Sequence, residues 1–174
     1  DVPLLGINSL KACIDEADSD RLAVLVAEVA EPAGFGRILR DSHGAVSGIV
    51  EEKDTSRDQR NIHEINTGII AAPGAFLMEL IVQIDNKNSQ GEYYLTDVVA
   101  EAYRRGISVV GVTAENEFEI KGVNDMAQLA QAERSFQSMR AREYMLSGLH
   151  LADPQRIDVR GSLKFGEGCF LDVN

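Results

Sequence analysis

The chain has 174 residues, enough for one domain or one domain with an appendage. A chain of this length can bury about 70% of its unfolded surface, so it needs no disulfide or metal ion to stabilise its fold. Its 44% hydrophobic and 26% charged residues are ordinary for a globular protein. The net charge, 17 − 28 = −11, argues against a nucleic-acid partner, which would need a basic stripe, although one local site can still bind a nucleotide.

Cysteine usage and hydropathy indicate the cellular compartment in which we expect the protein. Cys13 and Cys169 lie far apart in the sequence and predict two buried free thiols rather than a disulfide, which indicates a reducing compartment, so we expect a cytoplasmic protein. No apolar run approaches the ~20 residues that a membrane helix needs, and there is no signal peptide, so we expect no membrane partner. Because the sequence starts at Asp1 without a methionine, we expect it to begin inside a larger protein.

Helical and strand patterns alternate along the chain. Leu10, Cys13 and Ile14 form a helical stripe, and residues 21–29 form a nearly continuous apolar run, as expected for a strand covered on both faces. Further strands are predicted within residues 32–38, 45–52, 64–72 and 107–112, and helices within 75–84 and 96–105. This alternation predicts an α/β domain with a mostly parallel sheet, in which ligands bind at the carboxyl ends of the strands.

A polar amide interrupts the strand at residues 64–72. Asn66 lies among alternating apolar residues, where asparagine is rare, and a buried amide without partners costs about 1–3 kcal/mol. Asn66 therefore either satisfies a nearby backbone group or faces a polar ligand site. Gly68, two residues on, lies on the same predicted face and leaves space beside the amide.

The last third of the sequence changes character. Residues 124–146 predict one long helix with sparse apolar residues, typical of a connector exposed over much of its length. Beyond it, two apolar series repeat every six residues, a spacing that indicates a hexapeptide β-helix or, alternatively, a β-meander. The two series are Ile157, Leu163, Cys169 and Val159, Phe165, Leu171.

Several polar positions are candidates for chemistry, and each also has an ordinary structural role. Asn124 can be a helix N-cap, Glu51 a solvated carboxylate, and Tyr94 a packing aromatic. The spacing matches neither a catalytic triad nor a zinc site. The histidines at 43, 63 and 150 are scattered in turn and surface positions, so we expect none of them to be catalytic.

Taken in order, these positions fall in a series of short motifs that resembles one family. The motifs are Asp-Val-Pro-Leu, Gly-Phe-Gly-Arg-Ile, Gly-Ile-Val-Glu-Glu-Lys, Glu-Ile-Asn-Thr-Gly-Ile, Gln-Gly-Glu-Tyr-Tyr-Leu-Thr-Asp and Gly-Val-Asn-Asp. The chain closely resembles the bacterial bifunctional N-acetylglucosamine-1-phosphate uridyltransferases/glucosamine-1-phosphate acetyltransferases along essentially its whole length. The blocks containing Asn66 and Tyr94 are the most specific, because related sugar nucleotidyltransferases rarely carry both.

The resemblance implies a domain organisation. Residues 1–126 would be the C-terminal part of a Rossmann-like uridyltransferase domain with a mostly parallel mixed sheet. Residues 127–147 would be a linker helix, and residues 148–174 the first coil of a left-handed parallel β-helix acetyltransferase domain. We expect the parent to be a homotrimer that supplies the precursor for peptidoglycan and lipopolysaccharide, and the 174-residue chain to trimerise poorly.

The resemblance also implies roles for individual residues. Asp1 and Asn124 would bind Mg²⁺, whose preference for oxygen ligands and waters suits one carboxylate and one amide, and Asn124 would also touch the nucleotide sugar. The Gly36 N–H would bind the acetamido group, and Glu51 and Asn66 would hold the sugar. The pocket for the N-acetyl group would be lined by Glu92, Tyr94 and Thr96.

The implied reaction joins UTP and N-acetylglucosamine 1-phosphate to give UDP-N-acetylglucosamine and pyrophosphate, with no side-chain nucleophile. The parent would also use acetyl-CoA and glucosamine 1-phosphate. The family's glycine-rich nucleotide loop and its acetyltransferase catalytic histidine are not in this sequence, so we expect the chain to be an inactive fragment. Two alternatives stay open: another sugar-1-phosphate nucleotidyltransferase, and a non-catalytic subunit that binds sugar nucleotides or serves assembly.

Overall fold

The structure, a computed structural model, describes residues 2–173. It divides into two compact units, one formed by Leu5–Ile120 and the other by residues 2–4 with 121–173. Across residues 2–173 no helix is both long enough and apolar enough to cross a bilayer. The predicted domain boundaries at residues 126 and 147 stay predictions.

The first unit contains three helices and five strands, and their positions agree with the sequence patterns to within a few residues. In chain order they are α1 (Ile7–Glu16), β1 (Arg21–Glu28), β2 (Gly36–Arg40), β3 (Val46–Val50), β4 (Glu64–Ala71), α2 (Gly74–Ile81), α3 (Asp97–Arg104) and β5 (Ser108–Thr113). Short 3-10 turns lie at Glu52–Asp54, Gln59–Asn61 and Glu117–Ile120.

The five strands form one mixed sheet in the order β3-β2-β4-β1-β5, so the strand that carries Asn66 is central. The α/β class and the mixed sheet are confirmed, but the expected predominance of parallel pairs is corrected. Only β1 and β5 pair in parallel, whereas β1–β4, β2–β3 and β2–β4 are antiparallel. One cause is local: residues 41–45 join β2 to β3 through a hairpin, a connection too short for the crossover that parallel strands require.

Strand β1 is buried on both faces, as its apolar run predicts. Leu22, Val24 and Val26 join the core cluster that packs against α2 and α3. The intervening Ala23 and Leu25 pack on the other face with Cys13 of α1. The sheet therefore has one helical layer on each face, and its central strands have little freedom to shift register.

The second unit contains α4 (Met126–Leu146) and two short strands, β6 (His150–Leu151) and β7 (Phe170–Leu171). Strands β6 and β7 pair in parallel, 170 − 150 = 20 residues apart. Neighbouring strands of a β-meander are antiparallel, so the parallel pairing favours a coil of a β-helix.

Apolar and polar contacts both hold the coil to α4. Ile157, Leu163 and Phe165 pack on a core formed by Ala141, Leu149 and Leu151. Arg140 donates hydrogen bonds to the carbonyls of Val159 and Gly161, at 3.0 and 2.7 Å. Gln137, only 3% exposed, accepts from the Val159 N–H at 2.8 Å.

Helix α4 is exposed over most of its length, as its sparse apolar stripe predicts, and the buried Gln137 and half-buried Arg140 bind the coil's backbone with polar groups. One expectation about the coil is corrected. The third hexad is less buried than the first two, since Cys169 and Leu171 are exposed while the core cluster ends at Phe165. Both cysteines are free, as predicted, although only Cys13 is buried.

Candidate functional site

An open cavity of about 440 Å³ lies in the first unit, beside the start of β2, the middle of β4 and the loop before α3. It is lined by Gly34, Phe35, Gly36, Glu51, Asn66, Thr67, Gly68, Ile70, Tyr93, Tyr94, Leu95 and Thr96. Five of the predicted site residues therefore lie together: Gly36, Glu51, Asn66, Tyr94 and Thr96. The other three do not join them here: Glu92 is exposed and does not line the cavity, Asn124 belongs to the second unit, and Asp1 lies outside the described residues.

Asn66 satisfies a nearby backbone group, the first of the two roles that its sequence left open, and it also lines the cavity. The residue is 8% exposed, and its Oδ1 accepts a hydrogen bond from the Gly68 N–H at 3.1 Å. Among residues 2–173 no protein group accepts a hydrogen bond from the Asn66 Nδ2. One end of the amide is thus fixed by backbone, and the other end is available to a ligand in the cavity.

An irregularity in β4 creates the space beside this amide. In the β1–β4 ladder Val24 pairs with Ile70 but Val26 pairs with Asn66, so extra residues bulge from β4 between them. Gly68 lies in the bulge with φ +85°, a conformation that side chains disfavour. The Thr67 hydroxyl bonds to the Leu25 carbonyl at 2.7 Å and satisfies an acceptor next to the interrupted ladder.

Gly36 and Glu51 lie side by side at the cavity wall. Gly36 opens β2 and pairs with Asn66 of β4. A Cβ added at Gly36 would lie 3.1 Å from the Ile49 Cγ2 and 3.3 Å from the Glu51 Oε2, so a side chain at this position would crowd both neighbours. The other oxygen of Glu51 accepts a hydrogen bond from the Thr96 hydroxyl at 2.7 Å, which orients the carboxylate.

Side-chain amides organise the loop that carries Tyr94. The Gln90 Nε2 donates to the Tyr94 hydroxyl at 2.7 Å, and the Gln90 Oε1 accepts from Lys53. Ser89 donates its N–H to the Asp54 Oδ1 at 2.9 Å, which ties the same loop to the Glu52–Asp54 turn. The aromatic wall of the cavity is therefore fixed by residues that follow Glu51 directly in sequence.

Carboxylates dominate the electrostatics near this loop. Burial, followed by the negative charges of Asp85, Glu51 and Asp54, raises the pKa of Asp97 above its usual value. In the part of the chain described here, however, no group of three His, Cys, Asp or Glu residues could hold a metal ion.

Asn124 is not the helix cap that its position allows. Asp125 is the N-cap of α4, and its Oδ1 accepts from the Gln128 N–H at 2.7 Å. The Gln128 Oε1 accepts in return from the Asn124 N–H at 2.6 Å, as in a capping box. The exposed Asn124 side chain is thus left free of a capping role.

Sequence reasoning missed Arg37, a buried residue that directly follows the cavity residue Gly36. The residue is 1% exposed, and its Nη2 lies 2.8 Å from the Glu52 Oε2. The signal available in the sequence is an arginine placed between Gly36 and Ile38 at the start of an apolar strand, where a charge requires a partner.

Comparison with known proteins gives a consistent result. The chain is 46% identical over all 174 residues to the bifunctional protein GlmU of Pseudomonas aeruginosa strain LESB58. It is 51% identical to that of Francisella philomiragia and 45% identical to that of Azotobacter vinelandii, again over 174 residues. In each case it spans 38% of the relative's length. No protein-family model matches the chain.

Identity at this level along the whole chain confirms the resemblance that the ordered motifs predict. Along its whole length the chain is similar to bifunctional GlmU proteins, and it spans 38% of their length.

Proposed function

We propose that this chain carries the sugar-binding part of a nucleotidyltransferase that joins UTP and N-acetylglucosamine 1-phosphate to give UDP-N-acetylglucosamine and pyrophosphate. The observation that supports the proposal most is the cavity at which Gly36, Glu51 and Asn66 meet, although 66 − 36 = 30 residues of sequence separate the first from the last. The similarity to bifunctional GlmU proteins along the whole chain supports the same reaction class.

The cavity offers complementary groups to a hexosamine. Thr96 occupies one oxygen of Glu51, so the other is free to accept hydrogen bonds from sugar hydroxyls. The Asn66 Nδ2 supplies a donor on the same surface, because the Oδ1 is already bound to Gly68. Gly36, without a side chain, lets the acetamido group approach the backbone. The exposed ring of Tyr93 and the half-buried ring of Tyr94 offer apolar surface to the acetyl methyl group.

The reaction requires no protein nucleophile. An oxygen of the sugar phosphate attacks the α-phosphorus of UTP in line, the bond from that phosphorus to the bridging oxygen breaks, and pyrophosphate leaves. The residues of this chain act by positioning: the cavity fixes the sugar, and thereby the attacking phosphate, relative to the nucleotide. This accounts for a site built from amide, carboxylate and backbone groups.

We further propose Asp1 and Asn124 as protein ligands of Mg²⁺. Asn124 fits this role because its amide is exposed and released from capping, and amide oxygen is a ligand that Mg²⁺ accepts. Few protein ligands suffice, since Mg²⁺ keeps several waters and binds substrate phosphates. When bound, the ion would neutralise phosphate charge. In the parent, acetyltransferase activity with acetyl-CoA and glucosamine 1-phosphate, homotrimer formation and a cytoplasmic location belong to the same proposal.

Calorimetric titration of the 174-residue chain tests the sugar site. We expect binding of N-acetylglucosamine 1-phosphate, at least about tenfold weaker binding of glucose 1-phosphate, and loss of both on Glu51→Gln. Glu31→Gln, which neutralises an exposed carboxylate that does not line the cavity, is the matched control. Equal affinity for the two sugars would instead favour a different sugar nucleotidyltransferase, and binding of neither would refute the proposal.

A further inference from the structure

An ion pair between the buried Arg37 and the partly exposed Glu52 fastens the turn that precedes β2. Arg37 is 1% exposed, and its Nη2 lies 2.8 Å from the Glu52 Oε2. The same guanidinium donates through Nη1 to the Phe35 carbonyl. The Glu52 Oε2 also accepts a hydrogen bond from the Gly34 N–H at 3.1 Å. One ion pair thus binds both a donor and an acceptor of the Gly34–Gly36 backbone.

Each partner of the ion pair is the sequence neighbour of a cavity residue. Arg37 directly follows Gly36, and Glu52 directly follows Glu51. Neither Arg37 nor Glu52 lines the cavity, but the residue that precedes each of them does. The pair therefore fixes the spacing between the Gly36 backbone and the Glu51 carboxylate, which lie almost in van der Waals contact.

The guanidinium has few partners for its burial. Within the described part of the chain its Nε has no hydrogen-bond partner, and Glu52 is the carboxylate that forms an ion pair with it. The bond from Arg37 and, to a smaller extent, the Gly34 N–H lower the pKa of Glu52. Glu52 thus stays ionised at neutral pH, and the turn is held by charge-assisted hydrogen bonds.

We propose that Arg37 and Glu52 are positioning residues that hold the Gly34–Gly36 turn at the distance an N-acetyl group requires, and so set the preference for an N-acetylated sugar phosphate over its unsubstituted analogue. The proposal rests on the proposed function, because it assigns the acetamido contact to Gly36. Loosening the turn would weaken binding of the acetamido group while the sugar hydroxyls keep Glu51 and Asn66.

The test measures selectivity, which a loss of stability alone does not change. The ratio of dissociation constants for glucosamine 1-phosphate and N-acetylglucosamine 1-phosphate is measured calorimetrically on the 174-residue chain. We expect Glu52→Ala to lower this ratio about tenfold and Glu52→Gln, which keeps an acceptor oxygen, to lower it less. Because Glu52→Ala leaves a buried charge uncompensated, the double variant Arg37→Met/Glu52→Ala provides an apolar replacement that folds and is expected to show the same tenfold loss.

A second ion pair on the same strand supplies the matched control. The Arg40 Nη2 lies 2.5 Å from the Glu64 Oε1, and neither residue lines the cavity or bonds to the Gly34–Gly36 turn. We expect Glu64→Ala to leave the selectivity ratio unchanged. An unchanged ratio in the double variant would overturn the positioning role of Arg37 and Glu52 and leave the proposed function standing. A wild-type chain that binds neither sugar phosphate would overturn the proposed function and this role with it.

Discussion

At the residue scale, the Glu51 carboxylate is oriented by a single hydroxyl. Thr96 is 9% exposed and donates to the Glu51 Oε1 at 2.7 Å. Thr96→Val keeps the shape of the side chain and removes the donor, so we expect about 1 kcal/mol less unfolding free energy and about fivefold weaker binding of N-acetylglucosamine 1-phosphate. Urea titration and calorimetry measure the two effects.

Ser47→Ala is the control for this variant. Its hydroxyl bonds to the Leu39 carbonyl at 3.2 Å, away from the cavity, so stability should fall while sugar affinity stays unchanged. If Thr96→Val bound the sugar as tightly as the wild type, Glu51 would not need Thr96 for its orientation.

The sequence marked Asn66 as a candidate because an amide in an apolar strand requires a reason that local propensity does not supply. Gly36 became a candidate through the resemblance of the ordered motifs. The role of Arg37 could not be predicted in this way, because its partner lies 52 − 37 = 15 residues away and the pairing depends on the β2–β3 hairpin. Long-range pairing of this kind is invisible to local patterns.

At the element scale, the bulge in β4 depends on Thr67. Its buried hydroxyl satisfies the Leu25 carbonyl, so Thr67→Val leaves a buried acceptor unpaired. We expect the unfolding free energy to fall by about 1–3 kcal/mol in urea titrations. Thr113→Val, an equivalent change at the exposed end of β5, should have little effect. Equal losses in the two variants would mean that the Thr67 bond does not stabilise the bulge.

Helix α3 carries a carboxylate whose effect on stability depends on pH. Hydrogen bonds from Arg104 and then Arg105 lower the pKa of Glu101 from 4.5 to about 2. Because the folded pKa is the lower one, the stabilisation is complete above the unfolded pKa and is lost as the pH falls towards 2. We expect Glu101→Gln to melt earlier than the wild type at pH 7.

The difference in melting temperature between wild type and Glu101→Gln should shrink as the pH falls from about 4.5 to about 2. Thermal unfolding across this range measures it, with Glu31→Gln as the control for removing an exposed carboxylate. A difference that persists undiminished at pH 2 would contradict the ionic origin of the effect.

Element positions followed from hydrophobic periodicity, but strand directions did not. The apolar run in β1 predicted burial on both faces, and that burial is observed. The antiparallel insertion of β4 between β2 and β1 could not be predicted, since the alternation of helices and strands suggests crossovers, whereas residues 51–63 contain only 3-10 turns. The part of the sheet that forms the site, where β2 and β4 pair, therefore depends on topology rather than on periodicity.

At the scale of the whole molecule, one cysteine reports on each compact unit. Cys13 lies in the core of the first unit, where burial raises the pKa of its thiol, and Cys169 is exposed in the second unit. We expect a maleimide to label Cys169 at once in the native chain and Cys13 only in urea that unfolds the sheet. Mass spectrometry distinguishes the two sites. Fast native labelling of Cys13 would contradict the packing of α1.

The α/β class and the hexad coil could be predicted because both repeat a pattern along the sequence. The contacts between α4 and the coil could not, because Gln137 and Arg140 bind backbone carbonyls and amides that carry no sequence signature. The site could be predicted only in part. Each of its residues has an ordinary structural role when considered alone, and only the ordered series of motifs indicated that they belong to one site.

The central claim is that Gly36, Glu51 and Asn66 form one surface that binds an N-acetylated sugar phosphate. Nuclear magnetic resonance of the ¹⁵N-labelled chain, titrated with N-acetylglucosamine 1-phosphate, tests it directly. The account predicts saturable shifts of the Gly36 and Gly68 amides and of the Asn66 side-chain amide, with the residues of α4 and the coil unaffected. Shifts confined to other surfaces, or none at saturating sugar, would contradict it.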